Sequence, residues 1–330
     1  MKRVAKSREA ALVNPMGVPS NAYRDFSGIK QYVEDHGYTC IDSTTFSDTP
    51  RSRALAFNNA LGARAALLLP ASGNRYNAKI LHRLDTDAMT ESSPSLVTFS
   101  AGSTLLPILD KHSERLSFYG PHIRYVQAAE NSDDPQNHEF YSQFWEAVQP
   151  PAGVMSFQID NILPGSQAGS MIPVVYEGSD NCNSTTQGNV LPMFLQSLEY
   201  SAINDGSIKD AHDKILLLEA DGISFDTAFA SLSAIHKAIN LARAKALCIT
   251  AITPHHKTPS EHASEEELYS QEQAEHFIDK VRTLLNGEVP VSYGFPMGHG
   301  PYKATIPFNH PASFNYATNS LTFTIESEHD

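Results

Sequence analysis

Three residues, far apart in the chain, carry the types needed for nucleophilic catalysis. Ser100 closes the apolar run Leu96-Val97-Thr98-Phe99 and precedes the small residues Ala101-Gly102-Ser103-Thr104, a pattern that reads as a strand turning into a helix. A serine at such a turn exposes its hydroxyl at the carboxyl edge of a sheet, beside backbone N–H groups suited to an oxyanion. The plainer reading is a Ser-rich helix start, because the G-x-S-x-G elbow is absent. Glu219 follows Ile215-Leu216-Leu217-Leu218, so a carboxylate emerges at the end of a buried strand. There it could orient a histidine and stabilise its imidazolium, or simply cap the next helix. His299 lies in Phe295-Pro296-Met297-Gly298-His299-Gly300-Pro301, where flanking glycines leave the imidazole accessible; an ordinary loop histidine is the alternative. Serine attacks a carbonyl only with a neutral imidazole in reach and a carboxylate behind it. Each signal alone is weak.

The elements that must position these residues alternate. Strands are expected over Ala10–Val13, Ala65–Leu69 and Ser95–Ser100, with helices over Tyr23–His36 and Arg53–Leu61. This βαβ rhythm predicts a parallel sheet with helices on both faces and ligands beyond the strands' carboxyl ends. Prolines and glycines loosen the pattern from Asp133 to Ser170 and mark a domain crossover. The expected organisation is an N-terminal α/β domain at 1–150 carrying the nucleophile, a crossover at 151–172, and a C-terminal domain at 173–330 carrying the Glu and His. In the second part Asn189–Tyr200 reads as a helix, Ile215–Leu218 and Ala246–Ala251 as strands, and Val289–Ile325 as short strands and turns. Phe277, Ile278, Val281, Leu284 and Leu285 share one helical face that stops at Asn286-Gly287.

Composition removes several classes of function. The chain has 24 Lys+Arg against 37 Asp+Glu, a net charge of −13, which excludes nucleic acid as the main partner. With 18 % charged and 41 % hydrophobic residues it is a folded globular protein rather than a disordered one. Apolar runs fall far short of the roughly 18 residues of a membrane span. The basic residues Lys2, Arg3, Lys6 and Arg8 precede only a short apolar stretch, so no secretion signal is expected. Cys40, Cys182 and Cys248 form no C-x-x-C pair, which fits a reducing cytoplasm.

A resemblance to a known family spans nearly the whole chain. Thr98-Phe99-Ser100-Ala101-Gly102-Ser103-Thr104-Leu105 resembles, without a gap, the nucleophile motif G-Y-S-D-x-T-x-L of the LD-carboxypeptidase family of serine peptidases, which includes the microcin C self-immunity peptidases. Arg53-Ala54 with Ala56-Phe57-Asn58 is similar to its R-A-x-x-x-x-A-F segment. Leu68-Leu69-Pro70 through Gly73-Asn74-Arg75-Tyr76, then Ile80-Leu81 and Leu84-Asp85-Thr86-Asp87, resemble its G-G-Y-G…L-L-x-x-L-D-Y-D segment. Downstream, Phe118-Tyr119-Gly120-Pro121 resembles F-x-G-P, Gln187-Gly188-Asn189 resembles G-G-N, and Ile215 to Glu219 resembles I-L-F-L-E. Gly294-Phe295-Pro296-Met297-Gly298-His299 resembles G-F-P-F-G-H, and Thr305-Ile306-Pro307 resembles T-L-P.

The resemblance implies an α/β fold with an N-terminal open parallel-sheet, flavodoxin- or Rossmann-like domain and a C-terminal mixed α/β domain with a barrel-like set of strands. It implies Ser100 as nucleophile, His299 as general base and acid, Glu219 as the residue orienting the histidine, and an interdomain cleft as the site. Backbone N–H groups of Ala101 and of the Gly73-Asn74 turn would form the oxyanion hole. No cofactor is implied. The substrate would be a small peptide or peptide conjugate: a muropeptide tetrapeptide losing D-alanine, or an aminoacyl-nucleotide conjugate in an immunity-type member. Homodimers are usual in the family. Two positions depart from its pattern, Ala101 in place of Asp and Asn74 in place of Gly, which bears on specificity and leaves room for a binding protein without turnover.

Other features have plainer readings. Phe140, Tyr141, Phe144 and Trp145 show helical spacing, and Trp145 could stack on a base or sugar, although a packed helix face accounts for them as well. His255, His256 and His262 lack H-x-x-x-H spacing, so a metal site is not expected and a metal-dependent hydrolase is set third. Glu265, Glu266 and Glu267 suit the first turn of a helix.

Overall fold

The computed structural model describes residues 2–4, 8–16, 26–42, 49–70, 78–131, 143–150, 154–159, 185–253, 271–299, 303–315, 318 and 320–326. Its contacts divide the chain into two units: Met1–Met155 with Ala304–Phe308 and Ile325–Asp330, and Ser156–Lys303 with Asn309–Thr324.

The N-terminal unit is built on five short parallel strands: β1 (Glu9–Val13), β2 (Thr39–Asp42), β3 (Leu67–Pro70), β4 (Ser95–Thr98) and β5 (Phe118–Tyr119). Their order is β2-β1-β3-β4-β5, with the antiparallel β11 (Ile306–Pro307) outside β5. This is the flavodoxin-like order. Helices α1 (Ser27–Asp35), α2 (Pro50–Gly62), α3 (Thr86–Ser92), α4 (Leu106–His112) and α5 (Ile123–Glu130) follow the strands, and residues 143–148 form α6. Helix α1 packs with α5, and α3 with both α2 and α4, as right-handed crossovers in this order require. Because both faces of the sheet are covered, β3 and β4 are buried at every residue and read as continuous apolar runs rather than alternating ones. Local signals start the helices: Thr49 accepts from the Ser52 N–H with Pro50 in the first turn of α2, and Asp85 accepts from the Ala88 N–H at 2.9 Å ahead of α3.

In the C-terminal unit β7 (Thr185–Phe194), β8 (Lys214–Asp221), β9 (Ala246–Thr253) and β10 (Val291–Phe295) are parallel neighbours in chain order. They are joined by α7 (Leu195–Ile203), α8 (Phe225–Ile239) and α9 (Gln271–Leu284). Three successive crossovers in one direction put these helices on one face, where α7 packs on α8 and α8 on α9. The sheet continues from β7 through antiparallel β12 (His310–Asn315) and β13 (Ser320–Glu326) to β6 (Val154–Ile159). Ile215, Leu216, Leu217 and Leu218 of β8 are each at most 1 % exposed. Burial of such side chains contributes about 1.5–3 kcal/mol apiece, which makes β8 a rigid support for what it carries.

The fold class matches the expectation: an open, parallel-rich N-terminal sheet followed by a mixed α/β unit. One element differs from it. Asn189–Tyr200 is not one helix; β7 runs to Phe194 and α7 begins at Leu195. Val190, Leu191, Met193 and Phe194 are all buried beside β8, so the run is apolar on both faces and carries no helical stripe. Pro192 inside it is unsuited to a helix interior and lies beyond the last pairing with β12, at Val190.

Candidate active site

Ser100 sits two residues past the end of β4. Phe99 is still extended, at φ −137° and ψ 148°, and Ser100 then turns into the left-handed region at φ 54°, opening a 3₁₀ turn over Ser100–Leu105. A non-glycine residue held there costs on the order of 1–3 kcal/mol and persists only where its surroundings enforce it. The result is a strand-to-helix elbow, with Thr98 in place of the first glycine of the common G-x-S-x-G motif and Gly102 at the second. The turn closes through the Gly102 N–H donating to the Phe99 carbonyl at 3.0 Å. Ser103 Oγ donates to the Ser100 carbonyl and Thr104 Oγ1 to the Ala101 carbonyl, each at 2.8 Å. Gly102 fits because it has no side chain: a Cβ there would overlap Thr98 Oγ1. Ala101 is the second residue of the turn and is buried.

Glu219 and His299 meet within the C-terminal unit. Glu219 lies inside β8 and is 1 % exposed. The β8–β9 register shifts between Leu218 and Ala220, and β10 shifts against β9 between Tyr293 and Phe295. Such bulges re-aim side chains and gather near sites. Nδ1 of His299 is 2.8 Å from Oε2 of Glu219. An ionised carboxylate only accepts, so Nδ1 carries the proton and donates, leaving Nε2 as the basic nitrogen of the neutral ring. Gly298 permits the approach. Its φ is +87°, and a Cβ would stand 2.7 Å from the Cβ, Cγ and Cδ of Glu219.

Two further charges belong to this cluster. Oδ2 of Asp221 is 3.6 Å from Nε2 of His299, and Lys303 is buried at 8 % exposure. Burial opposes the His299 imidazolium, but the charge and hydrogen bond of Glu219 and the charge of Asp221 outweigh it and raise the pKa above its ordinary 6.5; Lys303 works against them. Burial pushes the Lys303 ammonium down to about 8 although Glu219 and Asp221 pull the other way. The sequence reading missed both residues. For Asp221 a signal existed, since residues two apart on a strand share a face and Asp221 stands two after Glu219.

The structure thus brings Glu219 and His299 together, while Ser100 is carried by the other unit. Trp145, on α6, is engaged with α1 and its surroundings: Nε1 donates to the Tyr32 hydroxyl at 3.1 Å, and the ring stacks on His36 at 4.3 Å. Gly73 and Asn74, Phe140 and Tyr141, Cys182, the histidines 255, 256 and 262, and Glu265, Glu266 and Glu267 lie outside the described residues.

Residues 187–314 match the family model of the LD-carboxypeptidase C-terminal domain. Among solved structures, the microcin C7 self-immunity protein MccF in its wild-type apo state superposes with a TM-score of 0.72 at 15% identity, covering 100% of both chains. The muramoyltetrapeptide carboxypeptidase of Oxalobacter formigenes gives 0.69 at 19% identity, over 98% of this chain and 100% of the other. An MccF-like protein of Bacillus anthracis gives 0.68 at 16% identity, over 99% of each. Comparison with curated protein sequences finds no significant match. The family match and the shared fold bear out the resemblance read from the sequence.

Proposed function

We propose that this chain, whose residues 187–314 form a C-terminal domain of the LD-carboxypeptidase type, is a serine peptidase in which Ser100, His299 and Glu219 act as one triad. The observation that carries the reading is the His299–Glu219 hydrogen bond, which fixes the tautomer a general base needs. The left-handed conformation of Ser100 at the end of a parallel strand supports it. In this reading Ser100 Oγ attacks the amide carbonyl as its proton passes to Nε2 of His299. The imidazolium, stabilised by Glu219, returns that proton to the leaving amine. Water then attacks the ester carbonyl, giving its proton to Nε2, and the acid and the serine are released. Backbone N–H groups of Ala101 and of Gly73 and Asn74 are proposed to hold the oxyanion.

The substrate we favour is a muropeptide tetrapeptide that loses D-alanine, handled in the cytoplasm by a homodimer. Light scattering at the monomer mass would count against the dimer. A second reading has its own support: MccF, which shares the fold, is known in complex with aspartyl sulfamoyl adenosine, and Ala101 stands where the family's nucleophile motif has Asp. The test is product analysis by mass spectrometry with wild type and Ser100→Ala on both substrates. Release of D-alanine by wild type alone supports the carboxypeptidase reading. Cleavage of the nucleotide conjugate alone moves the protein to the immunity-type activity. No Ser100-dependent cleavage of either substrate would overturn the serine mechanism for both and turn the reading to a binding protein on the same scaffold or to another substrate.

A further inference from the structure

Ser100 presents a problem that its own turn does not solve. The residue is 6 % exposed and its φ is 54°, so a buried N–H and a left-handed backbone fall at one position. A buried N–H without an acceptor is unfavourable, and a left-handed serine adds backbone strain of its own. Together they favour relaxation of the Phe99–Ser100 peptide and loss of the elbow.

The neighbouring strand supplies the acceptor. Thr98 pairs with Tyr119 in the β4–β5 ladder, and the Gly120 N–H donates to the Thr98 carbonyl at 2.9 Å, so the register of β5 is pinned beside the end of β4. From there the Tyr119 hydroxyl reaches the Ser100 N–H at 3.0 Å. Tyr119 is 0 % exposed, and its ring lies 6.0 Å from that of Phe99. Gly120, the next residue, sits tightly enough on Thr305 of the same unit that a Cβ would meet its Oγ1 at 3.0 Å. The stretch Phe118-Tyr119-Gly120-Pro121, which stood out in the sequence without a role, therefore places one oxygen.

We propose that Tyr119 is a positioning residue whose hydroxyl holds Ser100 in its strained, attack-ready conformation. The inference deepens the serine-peptidase reading and rests on it for its kinetic consequence, while its structural claim stands apart. Tyr119→Phe keeps the ring and removes the hydroxyl that accepts from the Ser100 N–H. The hydroxyl would act on the rate of attack and not on substrate affinity, so kcat should fall about ten- to a hundredfold with KM within about twofold, the size expected when roughly 1.4–2.8 kcal/mol of positioning is lost.

The experiment has two readouts. Amide hydrogen exchange at Ser100 should be slow in wild type and at least about tenfold faster in Tyr119→Phe. A Ser100 amide that exchanges freely in wild type, or equally in both proteins, would overturn the proposal, and the wild-type measurement needs no variant to fold. Phosphonylation by an alkyl fluorophosphonate should label Ser100 in wild type and proceed at least about tenfold more slowly in Tyr119→Phe. Labelling of that variant at the wild-type rate would also overturn the proposal. A wild type unlabelled at Ser100 would instead remove the serine-peptidase reading, leaving exchange to decide the role of Tyr119.

Discussion

At the scale of single residues the imidazole of His299 is the decisive group, because two carboxylates and a buried ammonium bias one proton. Its raised pKa has two consequences of opposite sign. The protonated ring stabilises the fold, and that contribution is fully present below the ordinary pKa of 6.5 and is lost as pH rises through the raised folded value. General-base catalysis needs the neutral ring, so activity should grow over the window in which this stability wanes. Removing the charge near Nε2 with Asp221→Asn should move the acid limb of the kcat/KM profile to lower pH. Lys303→Met, which removes a charge that opposes protonation, should move it to higher pH. Profiles of the two variants that shift in the same direction would show that the cluster has been misjudged. Lys303 itself behaves differently toward stability: its ammonium is penalised below about 8, and that penalty is relieved as pH rises toward 10.5. Ser100, Glu219 and His299 were legible as chemical types at the ends of apolar runs and in a glycine turn. Lys303 was not, since nothing local separates a lysine that will be buried from one that will be solvated.

At the scale of elements, the site depends on backbone approaches that tolerate no side chain. Gly298→Ala would place a methyl against the Glu219 side chain at a left-handed position. We expect a loss of about 1–2 kcal/mol from the backbone and about 1–3 kcal/mol from overpacking, with activity falling at least tenfold; denaturant unfolding and steady-state rates check both. Gly102→Ala should be relieved in part by Thr98→Ala, since Thr98 Oγ1 is the atom its methyl would strike. Additive costs in that double-mutant cycle would contradict the contact. The amphipathic helix α9 was plain in the sequence: Phe277, Ile278, Val281 and Leu285 are buried, and the left-handed Asn286 and Gly287 follow it. Strand β7 was not. A strand buried on both faces and a buried helix present the same unbroken apolar run, and the pairing that decides between them, with Lys214–Glu219, lies outside the local window.

At the scale of the whole molecule, the chain does not complete its first unit in one pass. Ile306–Pro307 returns to pair with β5, the strand that carries Tyr119. A fragment ending at residue 150 should therefore leave the Phe118–Tyr119 edge unpaired and unfold with lower cooperativity than the full chain, as calorimetry would register. A fragment with the full chain's transition would show that β11 is dispensable. Sequence reading recovered the alternating layers because each strand and helix announces itself locally. The return of residues 304–308 is a long-range pairing and leaves no such trace. A nucleophilic Ser100 becomes covalently acylated, which rapid acid quench of wild type with muropeptide tetrapeptide or aminoacyl sulfamoyl adenosine, followed by peptide mass mapping, would capture. An acyl adduct is expected on the peptide containing Ser100, and none in Ser100→Ala. Turnover that persists in Ser100→Ala with no adduct in either protein would contradict a nucleophilic Ser100.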